Sequence, residues 1–299
     1  MLVPHPAYPL HNLGNVFHHS YGILFPAVKS IRQRALSDQV VPVHEEYLNS
    51  FTSDFLSLLG VDARTSLSVS TGTQLEDSQS IILPRWDYHL LALSWSKYHP
   101  EFYAEFVQGF LPRFPEITLF DELAADPDSI EIPLRSELTS LRNEVISLDE
   151  IRTENPFQDK VLLIERAPVS DSIHRSEFFK WRGYGKHSRN IMNMDAIEAS
   201  LREHGVPVVR FTPGIEPIKT QIQAFASCKG VISLRGTELL HALWVPQNAK
   251  MIVIETRDLL GGCNYCRIMS DWFEHDYHEI EIRNGRFIQI DPTSILNCF

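Results

Sequence analysis

The stretch Val231-Ile232-Ser233-Leu234-Arg235-Gly236-Thr237-Glu238-Leu239-Leu240-His241-Ala242-Leu243-Trp244 sets a short apolar β run directly against a helical pattern. The run stops at Arg235-Gly236, and from Thr237 onward the apolar residues fall at helical spacing. Strand, glycine turn and helix in that order put Arg235 at a strand's C-terminal edge beside a helix N-terminus. Gly236 lets the chain turn sharply and keeps side-chain bulk away from a ligand. Thr237 is positioned to cap the first free N–H groups, and the remainder point at an anion. The expectation is a phosphate seat; the alternative is the glycine turn and rim arginine that any α/β protein needs.

Outward from that stretch the second half of the chain is regular. Val161–Ile164 reads as a strand, 195–204 as a helix closed by Gly205, 207–211 as a strand, 218–228 as a helix and 230–234 as a strand. After the helix 237–244 come a strand at 251–254, a helix at 265–273, strands around Ile280 and Ile288, and a last helical signal at 292–297. Strands separated by helices of about ten residues predict a parallel sheet with right-handed crossovers. Ligands of such sheets sit beyond the C-terminal strand edges. That rim collects Glu165-Arg166, Thr212, Arg235-Gly236 and Glu255.

The first half also alternates α and β. Phe17, Tyr21, Leu24, Val28 and Ile31 predict a helix with one buried face over 15–34, kinked or restarted at Pro26. A strand is expected at 39–43, a helix at 51–59 closed by Gly60, and a second strand at 80–84. Phe102, Phe106 and Phe110, four apart on one helical face, form a stripe that reads as core. Residues 120–155, rich in Asp and Glu and punctuated by Pro127, Pro133 and Pro156, read as a connection that is helical at 136–145. The expected domains are therefore 1–150 and 151–299.

Composition narrows the function classes. The 299 residues are 43 % hydrophobic and 22 % charged, as in a soluble globular protein with a sizeable core. A net charge of −11 argues against general binding to nucleic acid or an anionic membrane, so any anionic ligand must be held locally. No apolar run approaches the roughly 18 residues of a membrane span, and no signal peptide is visible. The chain reads as cytoplasmic, or lumenal if an N-terminal anchor has been removed. Cys263-Asn264-Tyr265-Cys266 has metal or redox spacing, but a zinc site needs two further ligands and no second pair exists. Packing cysteines are the expected reading, with no metal site.

Between Arg166 and the helix at 195 lies a basic loop holding Arg175, Lys180, Arg182, Lys186 and Arg189 against Glu177. In so acidic a chain it reads either as a feed of positive charge toward the rim or as a solvated surface loop. The series Ile164-Glu165-Arg166, Ser188-Arg189-Asn190-Ile191-Met192-Asn193, Gln221-Ile222, Val231 to Trp244, and Ile252-Val253-Ile254-Glu255 resembles the catalytic half of glycosyltransferase family 61. The resemblance covers about 160–260, and more faintly the first half through Asn15-Val16-Phe17-His18-His19. It implies a GT-B-like α/β fold, two Rossmann-type domains with mostly parallel sheets facing a central cleft. Residues 1–150 would take the acceptor and 151–299 the nucleotide-sugar. It further implies inverting, metal-independent transfer of a sugar from a nucleotide-sugar donor to a glycan or protein hydroxyl, with no other cofactor. Where the family has His-Gly-Ala followed by Gly-Leu-Thr-Asn, this chain has Arg235-Gly236-Thr237 followed by Glu238-Leu239-Leu240-His241.

Displacing a nucleoside diphosphate places negative charge on the departing phosphates, which positioned cations and helix-end N–H groups stabilise. Arg166, Arg189 and Arg235 take that role, with Asn190 as an orienting partner, Gly236 and Thr237 completing the seat, and Glu255 accepting from ribose hydroxyls. Glu238 shares a turn with Arg235 and is expected to neutralise it or to favour the helix N-terminus. The base for the acceptor proton is sought among His18, His19, Asp87 and His241, with His19 preferred. Replacing Arg166 or Arg235 by Ala is expected to abolish nucleoside diphosphate binding with thermal unfolding nearly unchanged. Two other classes fit the same residues: a nucleotide- or glycan-binding module without catalysis, and a sugar-nucleotide hydrolase or epimerase. Nothing in the sequence bears on oligomeric state.

Overall fold

A computed structural model of the chain describes residues 40–43, 54–55, 57–60, 62–65, 93, 96–98, 100, 128–167, 190–256, 265–282 and 287–299. The expected helix at 15–34, the strand at 80–84, the Phe102/Phe106/Phe110 stripe, the basic loop through Arg189, Cys263, and the base candidates His18, His19 and Asp87 lie outside these residues. The chain divides into two units, Met1–Val145 with Pro217–Lys219, and Ile146–Glu216 with Thr220–Phe299.

In the first unit β1 (Val40–Val43) pairs in parallel with β2 (Asp62–Thr65), Val40 opposite Asp62 and Val43 opposite Thr65. Residues 54–55 and 57–58 between them are helical, and Gly60 ends that piece at a φ of +69°. β2, Asp-Ala-Arg-Thr, carries no apolar alternation, and its pairing with β1 is what makes it a strand. The helix expected at 136–145 is longer: α1 (Asp128–Ile146) runs through Pro133. A proline removes one N–H···O bond, but Leu134, Leu138, Leu141 and Val145 form a continuous buried stripe that carries the helix past it. Lys97 Nζ donates to Glu131 on this helix at 2.6 Å.

The second unit opens with α2 (Asp149–Arg152) and is built on β3 (Val161–Ile164), β5 (Val208–Phe211), β6 (Gly230–Leu234), β7 (Lys250–Thr256) and β8 (Asp276–Ile282). Their order is β5-β3-β6-β7-β8, every pairing parallel, with Leu163 opposite Ile232 and Leu234 opposite Ile254. The expected parallel α/β sheet is thus present. All residues of β3 and β6 are buried, as strands covered on both faces require. β8 at the edge exposes Asp276, Glu279 and Glu281, charges that blunt an open edge.

Alternation sends Val161, Leu163, Ile232, Leu234, Ile252 and Ile254 to one face. There they pack against Ile197 and Leu201 of α3 (Met194–Glu203) and Ile295 of α6 (Pro292–Leu296). Gly205, at a φ of +77°, closes α3 in the left-handed conformation that glycine adopts without strain. On the opposite face lie α4 (Ile218–Ser227), a 3-10 helix (Thr237–Leu243) and α5 (Tyr265–Trp272), where right-handed crossovers running the other way along the sheet put them. Phe211, Phe225 and His241 form a ring series there, with centroids 6.0 Å and 4.5 Å apart. A second small sheet pairs β4 (Asn190–Ile191) with β9 (Phe287–Ile288) in parallel. Among the described residues no helix is long and apolar enough to cross a membrane.

Candidate functional site

Within the sheet the strands run second, first, third, fourth, fifth in chain order. The chain leaves β3 toward β5 and leaves β6 toward β7, so the connections diverge between β3 and β6. In doubly wound sheets such a divergence marks where ligands are held, beyond the C-terminal strand ends. β3 runs out into Glu165-Arg166 and β6 into Arg235-Gly236. Two of the expected cations therefore flank the switch point, on neighbouring parallel strands.

The rim side chains are tied to one another. Arg166 Nη2 donates to the Arg235 carbonyl at 3.0 Å, fixing the two strand ends together. Arg235 N donates to Ile254 O at 2.9 Å, extending the β6–β7 ladder by one residue. Arg235 Nη1 then donates to Glu255 Oε2 at 2.7 Å, a charge-assisted bond between adjacent strand ends. Both side chains are nearly buried, 12 % and 11 % exposed, where such a pair is weakly screened. Glu238 lies beside Arg166, its Oε2 3.8 Å from Nη2, with the two side chains 15 % and 10 % exposed. The expectation that Glu238 neutralises Arg235 is thus corrected: Glu255 pairs with Arg235, and Glu238 faces Arg166.

Gly236 explains that geometry. Its φ of −176° is open to any residue, so the sharp turn expected of it is not what requires glycine. Space is. A Cβ at 236 would land on Arg166 Nη2 and Glu238 Oε2 together. Gly236 occupies the N-cap position of the 3-10 helix, and Thr237 is the first helical residue, so the expected Thr237 cap gives way to a glycine N-cap without side-chain capping. The expected helix at 237–244 is a 3-10 helix, the tighter form.

His241 is fully buried in the second face. Its Nε2–H donates to Gln221 Oε1 at 2.8 Å, and its ring stacks on Phe225. Burial pushes its pKa down to about 3 and keeps the ring neutral. A ring with no exposed surface cannot reach an acceptor hydroxyl, which removes His241 from the base candidates. Gln221 also donates from Nε2 to Glu216 O at 2.6 Å, so Gln221 joins α4, the preceding loop and the 3-10 helix. Sequence spacing carries no sign of this linkage between residues 20 apart.

Asn190 is half-buried on β4, in the separate two-stranded sheet. Its neighbour Asn193 has the clearer structural task. Asn193 Nδ2 donates to Ile290 O at 2.7 Å and its Oδ1 accepts from Ile290 N at 3.1 Å, fastening the start of α3 to the chain beyond β9. Cys228 and Cys266 are buried free thiols whose pKa values burial raises to about 12, the behaviour of packing cysteines. Among the described residues no group of three or more His, Cys, Asp or Glu side chains converges as a metal site would need.

Comparison with known proteins bears on this rim directly. No curated protein matches the chain. The family model described as Glycosyltransferase 61 matches residues 103–252, a span of half the chain that contains β3, β6, Arg166, Arg235 and Glu238. By that match the chain belongs to the glycosyltransferase 61 family.

Proposed function

We propose that the switch point between β3 and β6 holds the diphosphate of a nucleotide-sugar donor, from which the protein transfers the sugar to an acceptor hydroxyl with inversion and without a metal. The observation that carries this reading is the delivery of Arg166 and Arg235 to both sides of the topological switch point, joined by the Arg166 Nη2 bond to the Arg235 carbonyl. As the glycosidic bond breaks, charge grows on the leaving diphosphate, and fixed guanidinium donors in a nearly buried place stabilise it. Two arginines supply that charge where a divalent cation otherwise does.

Arg189 and Asn190 precede α3 and are proposed to complete the phosphate contacts, with Gly236 and Thr237 offering backbone N–H groups. Glu255 is proposed to accept from ribose hydroxyls while it holds Arg235. The acceptor's proton goes to His19 in this reading. A GT-B-like pair of Rossmann-type domains, divided near 150, with a glycan or protein acceptor and a cytoplasmic or lumenal location, belongs to the same proposal.

One observation favours a second reading, a binding module without turnover: each rim arginine already has a carboxylate beside it. A screen of UDP-, GDP- and CMP-sugars with the full chain, following donor binding and donor consumption with and without acceptor, separates the readings. Transfer supports the first, binding without consumption the second. Consumption without acceptor points to a sugar-nucleotide hydrolase or epimerase. A chain that neither binds nor consumes any donor overturns the donor seat.

A further inference from the structure

We propose that Glu238 is a specificity-determining residue of the donor seat, setting how much negative charge the Arg166 side accepts and thereby favouring a diphosphate diester over a free nucleoside diphosphate. The inference rests on the donor-seat reading above.

The Glu238 Oε2 to Arg166 Nη2 separation of 3.8 Å is too long for a hydrogen bond and short enough for strong attraction between nearly buried charges. Among the described residues neither Glu238 Oε2 nor Arg166 Nε makes a hydrogen bond, although both atoms are buried. Glu238 is thus held against the guanidinium by charge and by the space Gly236 leaves, without the directional bond that joins Arg235 to Glu255. The two pairs, Arg166 with Glu238 and Arg235 with Glu255, are each formally neutral. The diphosphate of a nucleotide-sugar is a diester carrying two negative charges. Transfer exposes a terminal phosphate whose second ionisation, near pH 6, adds most of a third charge at neutral pH. A fixed carboxylate repels that added charge. Glu238 therefore penalises product more than donor and assists product release, at some loss of affinity for both.

The test uses the full chain and two probes differing by about one charge, inorganic pyrophosphate and P1,P2-dimethyl pyrophosphate, titrated calorimetrically at neutral pH. Glu238→Gln is expected to tighten pyrophosphate about fivefold more than the diester, the effect of one unit charge roughly 8 Å away at an effective dielectric constant of about 40. The diester should gain less, so the ratio of the two affinities shifts toward pyrophosphate. Arg166→Ala should weaken both at least tenfold. An unchanged ratio in Glu238→Gln, with Arg166→Ala still losing both probes, overturns the role of Glu238 and leaves the donor seat standing. Absence of binding to the unmodified chain overturns the seat and this inference together. If Glu238→Gln unfolds, Glu238→Asp, which withdraws the charge by one methylene, must move the ratio in the same direction by less; no movement overturns the proposal.

Discussion

Replacing Arg235 by Ala removes a guanidinium with two tasks, and the structure allows them to be separated. At 2.7 Å the Arg235–Glu255 pair has a Coulomb energy of about 6 kcal/mol at an effective dielectric constant of about 20. Desolvation of both groups offsets much of that. Breaking a buried pair typically costs about 3–5 kcal/mol, because the surviving charge keeps its desolvation cost. Glu255 retains 11 % exposure, so water reaches it in part, and about 2–3 kcal/mol is the expected loss. For a domain of this size that lowers the unfolding midpoint by about 5–10 °C. The expectation of nearly unchanged unfolding, drawn from the sequence, thus gives way to a measurable loss. Arg235→Ala combined with Glu255→Gln should be at least about 1 kcal/mol more stable than Arg235→Ala alone, since the nearly buried carboxylate that lost Arg235 is neutralised. Binding should not return with stability: titration with pyrophosphate should show loss in both the single and the double variant. If the double variant binds pyrophosphate as the unmodified chain does, Arg235 serves only the pair. If Arg235→Ala unfolds at the unmodified midpoint, the pair energetics are wrong.

Gly236→Ala should force Arg166 and Glu238 apart, at a stability loss of about 1–2 kcal/mol because flexible side-chain ends can shift. Pyrophosphate affinity should fall about tenfold or more, and unaltered affinity measured by calorimetry would show that the Arg166 position is irrelevant to the seat. His241 couples stability to pH. Its pKa in the folded chain, about 3, lies below the unfolded value near 6.5, so its contribution is complete above about pH 6.5 and is lost as pH falls toward 3. Chemical denaturation across that range should show His241→Phe with a shallower acid loss than the unmodified chain, and parallel curves would exclude His241 as a cause. For the proposed base, His19→Ala should lower kcat by roughly 10²–10⁴ with donor affinity retained, and an unchanged kcat would direct the search to His18 or Asp87.

The sheet was legible because its central strands are buried on both faces. Val161–Ile164 and Gly230–Leu234 have nearly no polar residues to confuse the signal, and the helices between them carry the complementary period. Once the strands are known to be parallel, their ends lie on one rim. For that reason the sequence alone groups Arg166, Arg235 and Glu255. The partner of each charge could not be read in the same way. Glu238 is three residues from Arg235 and far along the chain from Arg166, yet it faces Arg166, because β3 lies beside β6 and Gly236 leaves the intervening space empty. Sequence proximity favoured the wrong arginine; strand order chose the other. The α1 helix was cut short for a related reason. Pro133 is a local signal against helix, while the stripe Leu134, Leu138, Leu141 and Val145 that overrides it acts only once the helix has something to pack against.

The rim carbonyl and carboxylates also bear on the proposed seat in a chain of net charge −11. A guanidinium that is only 10–12 % exposed needs acceptors for its protons whether or not a ligand is present. The fold supplies them: the Arg235 carbonyl for Arg166, Glu255 for Arg235, and Glu238 at longer range. The same atoms then compete with any phosphate for the same donors, so stability of the empty site and affinity for an anion draw on one set of interactions. The two pairs resolve that competition differently. Arg235 and Glu255 are bonded directly, and a ligand must use the guanidinium's other faces. Arg166 and Glu238 are near but unbonded, so moving one of them breaks no directional bond between the two. The Arg166 side is therefore where affinity can be adjusted at the least cost to the fold, and substitutions at Glu238 should change ligand preference more than they change stability.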